Sequence, residues 1–302
     1  MPSVPKLRLR TAPVHTLGFE AIGTQWSLST AEPLAPETRA AVAELVDGYD
    51  RTYSRFRSDS TVARMARAAG NWKLPASAAP LLTLFDALQR LTDGAVNPLV
   101  GRSLEVLGYD AGYSFQPSGP PLRAAGWKDT VSWTADAGGS VLTTAAPVTF
   151  DIGAAGKGQL VDLVSALLAE AGLREYVVDA GSDLRQAGGE PLRVALEHPY
   201  DTTRGIGVVT LSDRALCASA VNRRQWGDGL HHVLDARTGA PVDTVAATWV
   251  LAADAMTADG LATALFFAEP QALASEFEFD YVRMFSDGRA DYSPAMAGVL
   301  FT

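Results

Sequence analysis

Val148-Thr149-Phe150-Asp151-Ile152-Gly153-Ala154-Ala155-Gly156-Lys157-Gly158 is the stretch on which the fold turns. Val148 to Asp151 reads as a strand. Gly158 to Ala171 carries helical spacing, and Glu175 to Asp179 reads as another strand. If helices and strands alternated regularly on both sides, this would be one unit of a doubly wound sheet. They do not. Downstream, strand patterns at Leu192–Glu197, Gly205–Leu211, Leu230–Leu234 and Ala246–Ala252 follow one another without intervening helices. The next helix is expected only at Thr257–Phe267. Upstream, Leu17–Thr30 reads as an opening strand with a bulge or close approach at Gly23. Helices are expected at Pro36–Phe56, Ser60–Ala69 and Ser77–Leu91, the last capped by Ser77 and ended by Asp93-Gly94. Residues 110–121, rich in Gly, Pro and Ser, read as a loop, followed by short strands up to Phe150. Irregular mixing of this kind predicts an α+β architecture.

Composition narrows the function. The chain has 302 residues, 47% of them hydrophobic, which is enough for a substantial core. A net charge of -9 disfavours a surface built to follow nucleic-acid phosphates. Cys217 is the only cysteine, so an intrachain disulfide and a CxxC metal or redox site are both excluded, and its apolar neighbours predict a buried, inert thiol. The first ten residues carry charges with no apolar run behind them, and no transmembrane-length segment follows. The expectation is a cytoplasmic protein with no membrane span.

Three segments can carry chemistry. In 151–158, small residues at a strand-to-helix junction allow close backbone approach to an anion, and Lys157, one of only four lysines, adds positive charge. The glycine spacing is neither a Walker A loop nor G-x-G-x-x-G, and a tight turn without a ligand has the same appearance. In Thr257-Ala258-Asp259-Gly260-Leu261-Ala262-Thr263, Asp259 and Thr263 stand four apart and share a helix face. Their oxygens suit a hard cation such as magnesium, although helix capping also explains such residues. In His231-His232-Val233-Leu234-Asp235-Ala236-Arg237-Thr238-Gly239-Ala240-Pro241, a strand runs into a turn. Its two histidines should point to opposite faces, so one of them can line a cleft and act as a base.

Together, and with Ile22-Gly23-Thr24, Ser54 to Ser60 and Gly94 to Pro98, these segments resemble the ApbE-like FAD:protein FMN transferases over residues 22–267. That family carries an M-G-T strand, a D-x-G-G/A-x-A-K-G loop, an H-I-I-D-P-x-T-G-x-P turn and an A-D-x-x-A/D-T-A helix. Here Ile22 replaces the methionine, Gly156 an alanine, Val96-Asn97 the F-D of the family's G-x-F-D-P-T stretch, and Ala236 the proline. Ala218-Ser219-Ala220 stands where T-S-G is usual.

The resemblance implies a single ApbE/T-fold-like, two-lobed domain over 1–302, with a mixed, largely antiparallel sheet and flanking helices. It implies FAD as substrate, contacted by Ile22, Phe56, Ala95, Val96, Asn97, Asp151, Lys157 and Val233. It implies Mg2+ held by Ala154, Asp259, Ala262 and Thr263, and His232 as the base. The partner would be an acceptor flavoprotein bearing a target threonine or serine, with AMP released. An FAD pyrophosphatase and a non-catalytic FAD-binding protein are the alternatives.

Overall fold

The structure, a computed structural model, describes residues 15–136 and 138–301. The chain opens with a hairpin, β1 (His15–Ala21) and β2 (Thr24–Thr30), paired so that Ala21 faces Thr24. The expected single strand is therefore two. Ile22 and Gly23 form the turn, both left-handed, with φ of 45° and 73°. A two-residue turn of that hand matches the twist of the flanking strands. Ile22 is β-branched and strained there.

Helix α1 (Pro36–Tyr53) starts on a proline and buries Val42, Tyr49 and Tyr53. Helix α2 (Thr61–Met65), shorter than expected, is capped by Ser60, whose hydroxyl accepts from Ala63 N. Strand β3 (Gly70–Leu74) precedes α3 (Ala78–Leu91), whose buried stripe is Leu81, Leu82, Leu84, Phe85 and Leu88. Ser77 does not cap α3 through its side chain; its carbonyl accepts from Gln159 Nε2 at 2.6 Å. A 3-10 turn at Pro98–Val100, α4 (Gly101–Val106) and α5 (Trp127–Thr130) follow. Strands β4 (Val131–Asp136) and β5 (Gly139–Thr144) then complete a small sheet in the order β3-β5-β4.

The strand expected at Val148–Asp151 does not form. Its amides bond to loops instead, Val148 N to Met65 O at 2.9 Å and Asp151 N to Pro98 O at 2.8 Å. Helix α6 (Gly156–Glu170) begins two residues early, inside the glycine-rich stretch. Then come β6 (Tyr176–Asp179), β7 (Asp183–Ala187), the hairpin β8 (Leu192–His198) and β9 (Asp201–Leu211), and β10 (Ala215–Ala220). The expected strand at Leu230–Leu234 is broken into two-residue pieces. Strand β11 (Gln225–Trp226) pairs with β12 (Leu230–His231), and β13 (Leu234–Asp235) pairs with β14 (Ala240–Pro241). Next are β15 (Val245–Ala252), α7 (Ala255–Ala264), α8 (Pro270–Leu273), β16 (Asp280–Phe285) and β17 (Ala290–Tyr292).

The main sheet runs β1-β2-β6-β7-β10-β15-β16-β17. It is antiparallel at every one of these neighbouring pairs, in keeping with the largely antiparallel α+β architecture expected. One face lies under a core shared with α1, α3, α6 and α7; the other is covered by the β8–β9 hairpin through Leu192, Val194, Val209 and Leu211. Cover on both sides explains why every residue of β15 is buried, an unbroken apolar run that an open-faced sheet would not need. Cys217 is buried in β10, its thiol donating to Ala255 O at 3.3 Å and pushed well up in pKa by burial. Among the described residues, no helix is long and apolar enough to cross a membrane.

The close approach of α6 to α7 fixes the site, and Gly158 permits it. A Cβ there would run into the Ala255 carbonyl oxygen and come within 2.7 Å of Asp259 Cβ. Because backbone must move, Gly158→Ala is expected to destabilise the fold by about 1–3 kcal/mol, as overpacking does. Urea unfolding checks this; an unchanged midpoint would mean the two helices separate freely.

Candidate active site

The N-terminus of α6 and the middle of α7 meet over the start of β7. Lys157 reaches across this junction. Its ammonium hydrogen-bonds Ser182 Oγ and lies 2.9 Å from Asp183 Oδ2. Asp183 is fully buried, and Asp259 on α7 is only 3% exposed. Asp259 Oδ2 accepts from Gly158 N at 2.9 Å. Burial, followed by the neighbouring Asp183 charge, raises the Asp259 carboxyl well above the usual carboxylate range, while Lys157 opposes that rise. A second carboxyl this close in a buried space makes ionising Asp259 costly. Added positive charge would relieve that cost.

Beside this cluster lie the oxygens that could supply a cation site. Thr263 Oγ1 donates to Ala154 O at 3.2 Å, which brings the glycine-rich loop to the same face of α7 as Asp259. These three are hard oxygen donors, and with Asp183 behind Asp259 the one nearby ammonium faces two carboxyls, so the chemistry of the set fits magnesium. Ala262 fits less well. Its carbonyl already accepts from Thr248 Oγ1 at 2.6 Å on the side facing β15.

The two histidines sit where pairing breaks between β12 and β13. His231 is buried and locally bound, Nε2 lying 2.8 Å from Val242 O and Nδ1 accepting from Val233 N at 3.3 Å. His232 is partly buried and differs: its Nδ1 is enclosed and has no hydrogen-bond partner. Burial first, then the Arg224, His231 and Lys157 charges, lower its pKa to about 3. It is therefore neutral at physiological pH. An unfolded histidine takes up its proton near 6.5, so the unfolded state binds more protons below that pH. Stability contributed by the neutral imidazole is present above pH 6.5 and is lost as pH falls from there toward 3. The expected result is a larger loss of unfolding free energy between pH 7.5 and 5 in the wild type than in His232→Asn. Equal losses in the two proteins would contradict the enclosed, neutral imidazole.

Of the remaining residues singled out from the sequence, Ile22 occupies the strained hairpin turn and Phe56 follows the end of α1. Asp151 accepts from Arg55 Nε at 2.6 Å and from Gly153 N at 2.7 Å, so its carboxylate braces the loop. Ala95, Val96 and Asn97 are buried. Asn97 is engaged at both ends of its amide, accepting from Leu99 N and donating to Ala125 O. The Val233 side chain is packed with Val245 and Phe266, and its backbone is engaged too, N donating to His231 Nδ1 at 3.3 Å and O accepting from Val242 N at 3.2 Å. Sequence reading passed over Ser182, Asp183 and Arg224, and gave Arg55, inside the Ser54 to Ser60 segment, no role of its own. The small-residue turn Asp179-Ala180-Gly181-Ser182 ahead of a charged strand start was the available signal for Asp183. Arg224, over the Tyr109 ring at 5.8 Å and acting on His232, gave none.

The antiparallel sheet and its flanking helices define an α+β fold, and the relatives it matches make it an enzyme of the transferase class. The chain belongs to the ApbE family, whose sequence model matches residues 22–281. A curated FAD:protein FMN transferase of Klebsiella pneumoniae is 27% identical over 277 residues, spanning 84% of this chain and 79% of that protein. One from Vibrio cholerae is 27% identical over 269 residues, spanning 83% and 80%. Among solved structures, the flavin transferase ApbE of Vibrio cholerae superposes with a TM-score of 0.76 at 22% identity, covering 98% of this chain and 100% of that one. The ApbE protein of Thermotoga maritima gives 0.78 at 22%, covering 96% and 100%. Both structures share the fold.

Proposed function

We propose that this protein, read as one domain over 1–302, is a magnesium-dependent FAD:protein FMN transferase acting on a threonine or serine of an acceptor flavoprotein. The observation that carries the reading is a neutral imidazole with an unpartnered nitrogen, within electrostatic reach of Lys157 and Arg224. Two cationic groups near a neutral imidazole support a pyrophosphate bound beside a base. The acceptor hydroxyl oxygen forms a bond to the FMN phosphorus. The phosphoanhydride bond breaks, AMP leaves with its electron pair, and the hydroxyl proton passes to His232. Lys157 offsets charge on the phosphoryl oxygens.

In the free protein, a pKa of about 3 makes His232 a weak base. Two phosphates beside Lys157 and Arg224 would cancel the cationic part of that depression and raise its basicity. Ala154, Asp259 and Thr263 would hold the ion, with Ala262 contributing only if its carbonyl is shared with Thr248. Magnesium bound there supplies charge neutralisation at the phosphoryl oxygens.

The test is incubation with FAD, magnesium and a candidate acceptor. Protein-bound FMN supports the proposal. Free FMN with AMP would assign a pyrophosphatase, and unchanged FAD a binding protein. FAD should also bind more tightly than riboflavin, which lacks the pyrophosphate, by fluorescence titration; equal affinities would remove the 151–158 loop from the site.

A further inference from the structure

The loop after α4 presents two aromatic side chains that the site description does not use. Tyr113 and Phe115 are each 44% exposed and each left-handed, with φ of 50° and 51°. Together with Ile22, they are three of the five non-glycine residues that adopt this backbone region among the described residues. Strain of this kind persists where the surroundings enforce it, and it gathers at ligand sites. Here the enforcement is visible. Asp110 Oδ1 accepts from Gly112 N at 2.8 Å and from Ser114 N at 3.1 Å, and Oδ2 accepts from Ser114 Oγ at 2.6 Å. Phe115 N donates to Gly108 O at 2.8 Å, closing the loop on itself.

The loop sets Tyr113 on Phe56. Their rings stack with centroids 4.9 Å apart and planes 5° from parallel. Arg55 Cζ lies 4.2 Å from the Phe56 centroid as well, so little of the Phe56 face remains for a ligand. Arg55 Nη2 is buried without a partner beneath the stack, beside the salt bridge from Arg55 to Asp151. The Tyr113 hydroxyl lies 4.0 Å from where a Cβ on Gly23 would stand, which puts the ring between Phe56 and the Ile22–Gly23 turn. Trp226 extends the aromatic layer, stacked on Tyr109 at 5.6 Å, toward the short hairpin that leads into His232.

We propose that Tyr113, backed by Phe56 and flanked by Phe115, is the surface on which a fused heteroaromatic ring of FAD stacks, in place of a direct contact by Phe56. This rests on the FAD-transferase reading above. An electron-rich phenol left 44% exposed suits a planar, electron-poor ring, and such rings stack offset and parallel as Tyr113 already does on Phe56.

The test compares Tyr113→Asn, which removes the ring while keeping a residue that tolerates the left-handed backbone, with Tyr113→Phe, which keeps the ring. FAD binding is followed by flavin fluorescence, and riboflavin and AMP are titrated separately. Tyr113→Asn should weaken FAD about 5–100-fold, the usual range for losing one aromatic stacking partner, and raise the KM for FAD by a similar factor. Tyr113→Phe should stay within about threefold of the wild type. A parallel loss for riboflavin assigns the flavin ring to Tyr113, and a parallel loss for AMP assigns the adenine. Unchanged FAD affinity in Tyr113→Asn overturns the proposal. Tighter binding also overturns it, because Tyr113 would then occupy the ligand's own place. A wild type that neither binds FAD nor transfers FMN would instead remove the transferase reading itself.

Discussion

Changing Asp259 to alanine should lower magnesium-dependent flavin transfer by roughly 10²–10³-fold, the scale of several kcal/mol that a bound ion supplies to a phosphoryl-transfer transition state. The residue is fixed from three sides. Gly158 N donates to it, Asp183 lies behind it, and Lys157 draws on both carboxyls. Truncation to alanine also leaves the buried Gly158 amide without an acceptor, a cost of about 1–3 kcal/mol in stability that could be mistaken for lost catalysis. Asp259→Asn separates the two effects. Its amide oxygen can still accept from Gly158 N, and only the charge disappears. Transfer should fall in both variants, and its magnesium dependence should shift to higher concentration in Asp259→Asn. Full activity of Asp259→Ala at limiting magnesium would eliminate the proposed ion site.

The second large effect belongs to His232. Replacing it with asparagine should slow transfer about 10²–10⁴-fold, the usual contribution of a positioned general base, while FAD affinity changes little. His231→Asn is the internal control, and the structure sharpens what it controls for. His231 bonds to Val242 O and accepts from Val233 N, so its loss should lower stability while transfer per folded molecule stays near the wild type. Stopped-flow transfer rates normalised to the folded fraction distinguish these outcomes. Similar rate losses in both variants would assign both imidazoles to holding the β12–β13 break together. A loss of FAD binding confined to His232→Asn would make that residue a ligand contact.

Much of this molecule is written locally in its chain. Helical spacing marked α1, α3 and α6, and the i, i+4 pair Asp259 and Thr263 was visible before any packing was known, because a helix face follows from its period alone. The absence of regular helix–strand alternation gave the α+β class, and the apolar neighbours of Cys217 gave its burial. Local pattern misled where backbone bonds go elsewhere. Val148–Asp151 has a strand's composition but pairs with loops, and Leu17–Thr30 conceals a hairpin turn because Ile22 is not a residue expected in the left-handed region.

What only the tertiary structure decided are the meetings between distant segments. Asp183 meets Lys157 and Asp259 because β7 pairs with β10, setting Asp183 opposite Cys217 beneath the α6–α7 contact. Tyr113 covers Phe56 because Asp110 folds its loop back onto the end of α1. His232 is set apart from His231 by a break in pairing, β12 joining β11 and β13 joining β14. Periodicity encodes which face of an element is apolar. It carries nothing about which element will cover that face, since this is set by sheet order and close packing over the whole chain.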